Sequence, residues 1–405
     1  MATHMTPIGY LVPEFPGQTH AFFWREVTAL RKLGCHVEMF STRRPPPEAC
    51  HHAFAPEAAG ATRYLFPPRL VAAARLLLTR PVRTLNALRY ITGLSATSAR
   101  ERVRFLGLLC CAADLVSHAE AKGVKHLHIH SCADSAHLGA LSSLLGTLRY
   151  SLSLHGDLDV YGTDHVQKMR RAQFVACVTR PLQRQVFEAT DLPPDRVPVL
   201  WMGVDTQRFR PTPGRNMPHV GALRALTVAR LHTAKGHRFA LLAIAKLRDE
   251  GVVVDYQIAG EGPARRDIER QIEDLNLGDQ VTLVGTQAED SVLGLLQASD
   301  VLILTSIGQG EAAPVAVMEA MACGLAVVCS IIGGTPDMIE DGVDGLLTPQ
   351  EDVSAIATHL RSLAIDPALR QRIAHAARRK AEAAFDATDL AKRLWAQIEL
   401  ARPIP

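Results

Sequence analysis

Short apolar runs alternate with longer stretches of helical periodicity along almost the whole chain. Residues 7–12 (PIGYLV), 36–41 (HVEMFS), 125–131 (KHLHIHS), 151–155 (SLSLH) and 173–179 (QFVACVT) read as short buried strands, each followed by a helical pattern. Strand then helix, repeated, predicts a parallel sheet with crossover helices. Between about 192 and 221, LPPDRVPVLWMGVDTQRFRPTPGRNMPHVG is rich in Pro and Gly and loses periodicity, which marks a connection. The alternation then resumes, with ALTVAR, VDYQIAG, QVTLVG, DVLILTS, LAVVCS and GLLTP as strands and HRFALLAIAKLRDE and PARRDIERQIEDLN as helices. The pattern predicts an α/β protein of two Rossmann-like doubly wound domains. The first covers 1–195, a linker 196–222, the second 223–385, and a last helix in 386–405 packs back toward the first. Two such domains facing across a cleft would receive ligands at the carboxyl ends of their strands.

Composition agrees. At 405 residues, 47% hydrophobic and 21% charged, the chain is longer than one core usually serves. Its eight cysteines fall in no CxxC or Cys/His spacing and several lie in apolar runs, so no disulfide framework or zinc site is expected and a reducing cytoplasm fits best. The opening MATHMTPIGYLVPEF has no basic segment leading into a long apolar one, and no stretch of about 18 apolar residues occurs, so neither export nor a membrane span is expected.

Charge changes the picture locally. Residues 1–200 carry 23 Lys and Arg against 15 Asp and Glu, a net +8, while the remainder carries 21 against 26, a net −5. Within residues 63–104, nine arginines (Arg63, Arg69, Arg75, Arg80, Arg83, Arg89, Arg100, Arg102, Arg104) face only Glu101, interleaved with LVAAARLLL and VRFLGLL. Basic amphipathic helices of that kind suit an anionic membrane surface, so peripheral attachment at the inner face of the plasma membrane is expected through residues 63–104. A solvated face with Arg stems packed on the core is the competing reading. Aromatic interleaving and a recognised module are both missing, which disfavours nucleic acid.

The most informative motif is GQGEAAPVAVMEAMACG, residues 308–324. The strand VLILTS runs into a Gly-containing loop, and Pro314 sits where a helix would start, at the N1 position. The free N–H groups of Val315 and Ala316 would then form an anion site. Glu311 precedes this start and Glu319 follows in the second turn. Eight residues at ~1.5 Å each place the carboxylates on the order of 12 Å apart, about the span from a sugar to a ribose across a diphosphate.

These residues resemble the signature of the retaining glycosyltransferases of family 4, which have the two-domain GT-B fold. VARLHTAKG (228–236), IAGEGP (258–263), VTLVG (281–285), GGTPDMIEDGVDGLLTP (333–349) and SLHGDLDVY (153–161) match in order, so the resemblance spans nearly the whole chain. The opening VPEFPGQTHAFFWREVTALRKLGCHVEMFS is most similar to the exopolysaccharide and colanic-acid type. The resemblance implies that Arg230 and Lys235 neutralise the donor diphosphate, Glu319 holds the ribose, and Glu311 holds the donor sugar with the Ala312 and Ala313 backbone. It further implies a donor loop through Gly260, Pro314 and Val315, base contacts from the Val284 and Gly285 backbone, close approach of the diphosphate at Gly17, and His155 near the reacting carbon.

The chain departs from the pattern at Ala312, where a Gly is common, and at Gly17, Gln18 and Thr19, which replace a Ser-Glu-Thr triplet. Asp157 and Asp159 resemble a metal-binding DxD in the wrong place, so no metal is assigned, and Arg265 stands where an NAD fingerprint needs its third glycine. The expected activity is metal-independent retaining transfer from a UDP- or GDP-linked sugar to a saccharide or lipid-linked acceptor, with no cofactor. A sugar-nucleotide epimerase of the same fold and a non-catalytic relative scaffolding a polysaccharide assembly complex are the alternatives.

Overall fold

A computed structural model describes residues 7–212, 221–308 and 311–401. Residues 213–220 of the expected linker, and Gln309 and Gly310 of the 308–324 motif, lie outside the described residues. The chain divides into two compact units, Met1–Trp201 with Thr388–Pro405, and Met202–Ala387.

The first unit is a six-stranded sheet built from β1 (Ile8–Glu14), β2 (Val37–Arg43), β3 (Thr62–Tyr64), β4 (His126–Ile129), β5 (Arg149–Leu154) and β6 (Val175–Cys177). Its spatial order is β3-β2-β1-β4-β5-β6, with every pairing parallel. The register sets Tyr10 opposite both Met39 and His128, and His128 opposite Ser151. Only β3 escapes the hydrophobic pattern, being three residues long at the sheet edge. The longest helix, Ala99–Ala121, starts at a capping box in which Ser98 and Glu101 each accept a hydrogen bond from the other's backbone N–H. Ala391, Leu394 and Ile398 of the last helix (Ala387–Leu400) are buried in this unit's core with Ile8, Val27, Leu30 and Ala176.

The second unit repeats the plan with β7 (Leu223–Val228), β8 (Val254–Ala259), β9 (Val281–Gly285), β10 (Val301–Leu304), β11 (Ala326–Ser330) and β12 (Leu346–Thr348), in the order β12-β11-β10-β7-β8-β9 and again wholly parallel. The central strands β10 and β11 are buried along their length, because helices cover both faces of a parallel sheet. Residues 202–212, expected to be linker, belong to this unit. The N–H of Val204 donates to the Phe385 carbonyl at 2.8 Å and Ala387 returns the bond to Val204 at 2.9 Å, while Phe209 is fully buried. Loss of periodicity reports an irregular backbone and carries no information on whether it packs.

In each sheet the strand order reverses next to the first strand, between β1 and β4 and between β7 and β10. Loops at such a switch point diverge to opposite faces and leave a crevice at the carboxyl ends.

Candidate functional site

In the second unit the crevice is framed by the loops after β7 and β10. The β7 loop runs from Ala229 through a short 3-10 turn at Thr233–Lys235 to Gly236, where helix His237–Asp249 begins. Gly236 has φ +63°, and a Cβ there would lie 1.9 Å from the Thr305 carbonyl oxygen, so only glycine lets this loop touch the β10 loop. Two further bonds tie the loops together. Ile307 N–H donates to the Ala234 carbonyl at 2.8 Å, and the Thr305 hydroxyl donates to the Gly236 carbonyl at 2.9 Å.

That seam brings together two residues 76 apart in sequence: the Lys235 ammonium donates to Glu311 Oε2 in a largely buried ion pair. The Ser306 hydroxyl donates to the same oxygen at 2.9 Å. A cation and a carboxylate are thus held at the switch point, each partly neutralising the other's burial cost. From the other side, Gly333 has φ +53° and sits so close to the Glu311 carbonyl that a Cβ would be 1.8 Å from it, and Gly334 N–H donates to the Ala312 carbonyl at 2.7 Å.

Pro314 is the cap residue of helix Val315–Ala322 rather than its first helical residue, with extended φ and ψ of −67° and 113°. The anion site read from the motif therefore begins at Val315. Ala312, Ala313 and Pro314 are buried, and Val315 and Ala316 are partly open. Glu319 lies in the second turn, buried among Val317, Met318, Ala320 and Met321. Arg230 is exposed, and its guanidinium makes no hydrogen bond or ion pair among the described residues, while its carbonyl accepts from His237 Nε2 at 3.0 Å.

Gly260 has a structural reason independent of any ligand. At φ +152° its Cβ would lie 1.9 Å from the Ala229 carbonyl oxygen, so the β8 loop can back the Arg230 loop only with glycine there. Its N–H donates to the Gly285 carbonyl at 2.8 Å, which places Gly285, and Val284 before it, at the same end of the sheet. Motif reading gave Ser306, Thr305, Gly236 and Gly333 no role of their own, since they carry no chemistry until the loops meet.

In the first unit, Gly17 follows β1 and His155 follows β5. A Cβ on Gly17 would meet His20 Nδ1 at 2.7 Å, so that glycine admits the His20 ring. His155 is half-buried against Phe22 and Phe23, each with its ring centroid 5.3 Å away, and its Nε2 lies 2.9 Å from His130 Nδ1. Burial holds the His155 and His130 imidazoles down to about 3, and both are neutral near pH 7. Glu26, His128 and His130 lie close enough to suggest metal ligands. His128, however, commits both ring nitrogens to Ser151 and Ser153, at 2.8 and 3.0 Å, and His130 has one nitrogen against His155 and the other against Glu26, so the cluster closes on itself.

Residues 219–380, within the second unit, match the family model described as Glycosyl transferases group 1. The chain is 28% identical over 384 residues to WcaL of Salmonella typhimurium, named for glycosyl transfer in colanic acid biosynthesis, with 87% of this chain and 89% of that protein covered. AmsK of Erwinia amylovora, named as an amylovoran biosynthesis glycosyltransferase, is 33% identical over 233 residues, 56% of each chain. A glycosyltransferase structure from Rickettsia africae superposes with a TM-score of 0.74 at 16% identity over 99% of this chain and 100% of that one. Anabaena HepE in complex with UDP gives 0.74 at 16% identity over 98% and 100%. These likenesses establish the two-unit α/β GT-B fold.

Proposed function

We propose that this chain is a metal-independent retaining glycosyltransferase of the family 4 kind, moving a sugar from a UDP- or GDP-linked donor to a saccharide or lipid-linked acceptor in exopolysaccharide or cell-surface glycan biosynthesis. The observation that carries this reading is the Lys235–Glu311–Ser306 cluster at the β7/β10 switch point, one loop away from the open start of helix Val315–Ala322. The names of WcaL and AmsK support the pathway class, and the UDP of the HepE structure supports a nucleotide donor.

In this reading the second unit holds the donor. Arg230 and Lys235 take the diphosphate, Glu319 the ribose, and Glu311 the sugar hydroxyls, with Lys235 shared between Glu311 and a phosphate oxygen. During transfer the bond from the anomeric carbon to the phosphate oxygen breaks, and a bond to the acceptor oxygen forms on the same face. The acceptor's proton passes to the departing phosphate. The protein's contribution is placement and a fixed positive field where charge grows. The first unit contributes Gly17 and His155 and receives the acceptor.

Attachment to an anionic bilayer belongs to the same proposal. Phe66, Leu70, Val71, Leu78, Val82, Leu85, Val103 and Leu106 are all exposed. The arginines among them divide in two. Arg63, Arg80 and Arg104 pair with Asp114, Glu120 and Asp134, and Arg102 and Arg83 bond the Leu94 and Leu145 carbonyls. Arg69, Arg75, Arg89 and Arg100 are exposed, with no side-chain partner among the described residues. Exposed apolar groups beside uncommitted cations are what a bilayer interface of negative charge accommodates.

The deciding experiment is nucleotide release over a panel of UDP- and GDP-sugars, with and without polysaccharide-repeat or polyprenyl-linked acceptors. Acceptor-dependent release supports transfer. Conversion of the sugar without release would instead mark an epimerase, and no turnover with any donor a scaffold.

A further inference from the structure

Within the second unit the chain from Arg230 to His237 returns on itself. His232 N–H donates to the Arg230 carbonyl at 2.9 Å, Lys235 N–H to the His232 carbonyl at 2.9 Å, and Gly236 N–H to the Thr233 carbonyl at 3.0 Å. His237, the first residue of helix His237–Asp249, then closes the loop, with its Nε2 3.0 Å from the Arg230 carbonyl oxygen. A carbonyl oxygen only accepts, so Nε2 carries the proton and donates. Arg230 and Lys235, the two cations assigned to the donor diphosphate, both sit on this closed loop.

The β8 loop holds the other side. Leu231 N–H donates to the Glu261 carbonyl at 2.9 Å, and Ala264 N–H returns a bond to the Leu231 carbonyl at 2.9 Å. Gly262, at φ +157°, has no room for a Cβ, which would lie 2.3 Å from the Leu231 carbonyl oxygen, just as Gly260 has none beside Ala229. Backbone contacts therefore fix the chain on either side of Arg230, while the Arg230 carbonyl itself is held by a side chain, that of His237.

His237 is buried, and its Nδ1 has no hydrogen-bond partner among the described residues. An apolar side chain would fill the same space without leaving a buried nitrogen unpaired, so what the imidazole adds is its bond to the Arg230 carbonyl. That bond matters because the Arg230 guanidinium is exposed and makes no hydrogen bond or ion pair among the described residues. With no protein partner at its tip, the side chain takes its direction from its own backbone. A small displacement of that backbone is carried out along the whole length of the arginine to the charge.

We infer that His237 is a positioning residue for the donor diphosphate: by holding the Arg230 carbonyl it fixes the backbone from which the Arg230 guanidinium meets the phosphate oxygens. The place of Arg230 on the diphosphate rests on the proposed function, whereas the anchor does not. A free nucleoside diphosphate carries more negative charge than its sugar-linked form. Affinity for UDP or GDP therefore reports on the Arg230 contact without an acceptor.

The test titrates the full chain with UDP and with GDP by calorimetry and follows whichever the wild type binds. Arg230→Ala should weaken that binding about 10- to 100-fold. His237→Leu should weaken it about 10-fold, but by less than about twofold when Arg230 is already Ala, because the anchor then has no guanidinium to aim. His237→Gln sets its amide N–H near the place of Nε2 and should recover most of the loss, whereas His237→Asn reaches only as far as Nδ1 and should not. Wild-type affinity in His237→Leu, or the same loss in both backgrounds, overturns the inference. Should His237→Leu not fold, equal affinity of the Gln and Asn variants overturns it instead. If Arg230→Ala binds as tightly as the wild type, or the wild type binds neither nucleotide, the proposed place of Arg230 fails first and the inference falls with it.

Discussion

Lys235 and Arg230 look alike as sequence but stand in different circumstances. Lys235 is clasped by Glu311, while Arg230 is exposed and uncommitted. Each is assigned to charge developing on the leaving diphosphate, and removal of one such partner costs roughly 100-fold or more in rate. Lys235→Ala and Arg230→Ala should each lower kcat for transfer by at least that factor. Lys235→Ala also leaves the partly buried Glu311 carboxylate with Ser306 as its remaining side-chain partner. Its melting temperature should therefore fall further than that of Arg230→Ala, where nothing is left unpaired. Steady-state transfer assays and calorimetry measure the two effects, and rates within threefold of wild type would remove both residues from the reaction.

At the scale of elements, the β7 and β10 loops are one construction joined at Gly236. A side chain there combines a left-handed φ with a clash against a backbone oxygen that cannot swing away, together worth roughly 1–3 kcal/mol. Gly236→Ala should lower the melting temperature and weaken donor binding by titration calorimetry. Gly294→Ala, in the middle of helix Glu289–Ala298 where an added Cβ meets nothing within 4 Å, should leave binding alone and hold or raise the melting temperature. Equal behaviour of the two variants would mean that the loop seam does not shape the site. The helices Leu70–Thr79 and Pro81–Thr92 carry the second element-scale prediction. Arg69, Arg75 and Arg89 have no ion pair to lose, and each cation near an anionic surface contributes about 1 kcal/mol, decaying within a Debye length. Reversing all three to Glu should abolish co-sedimentation with phosphatidylglycerol vesicles at low salt and leave the fold intact by circular dichroism. Undiminished binding, or none in the wild type, would return this surface to the solvated reading. Arg80→Glu is a poor test, since its bond to Glu120 is structural.

For the whole molecule, titration should separate the two units. Burial holds His126, His130, His137 and His155 down to about 3 and His20 to about 4, all in the first unit, whereas in the second burial lowers His237 less far. These rings stay neutral in the folded unit while the unfolded chain protonates them near 6.5, so acid favours unfolding. Stability is lost as pH falls from about 6.5 toward 3, by roughly 1.4 kcal/mol per pH unit for each histidine. Trp24, Trp201 and Trp395 all belong to the first unit, so tryptophan fluorescence reports on it alone. On acidification the fluorescence transition should precede completion of the far-ultraviolet circular dichroism transition, and coincident transitions would contradict the asymmetry.

What sequence alone determined is what neighbouring residues decide among themselves. Alternation of apolar runs with helical periodicity depends on positions a few residues apart, and among the described residues it located eleven of the twelve strands, missing the three-residue edge strand Thr62–Tyr64. The 308–324 motif was legible for the same reason, because the loop, the helix start and Glu319 are contiguous in the chain. Tertiary structure decided whatever needs a crossover to return one strand beside another. Pairing of Lys235 with Glu311, capture of residues 202–212 by the chain near Asp386, and division of the arginines into paired and free all depend on segments far apart in sequence. The line from Glu26 through His130 to His155 belongs with them. Periodicity carries no information about which distant side chain will face a given one, since that choice is made by strand order and register, and these are settled by the packing of the whole unit.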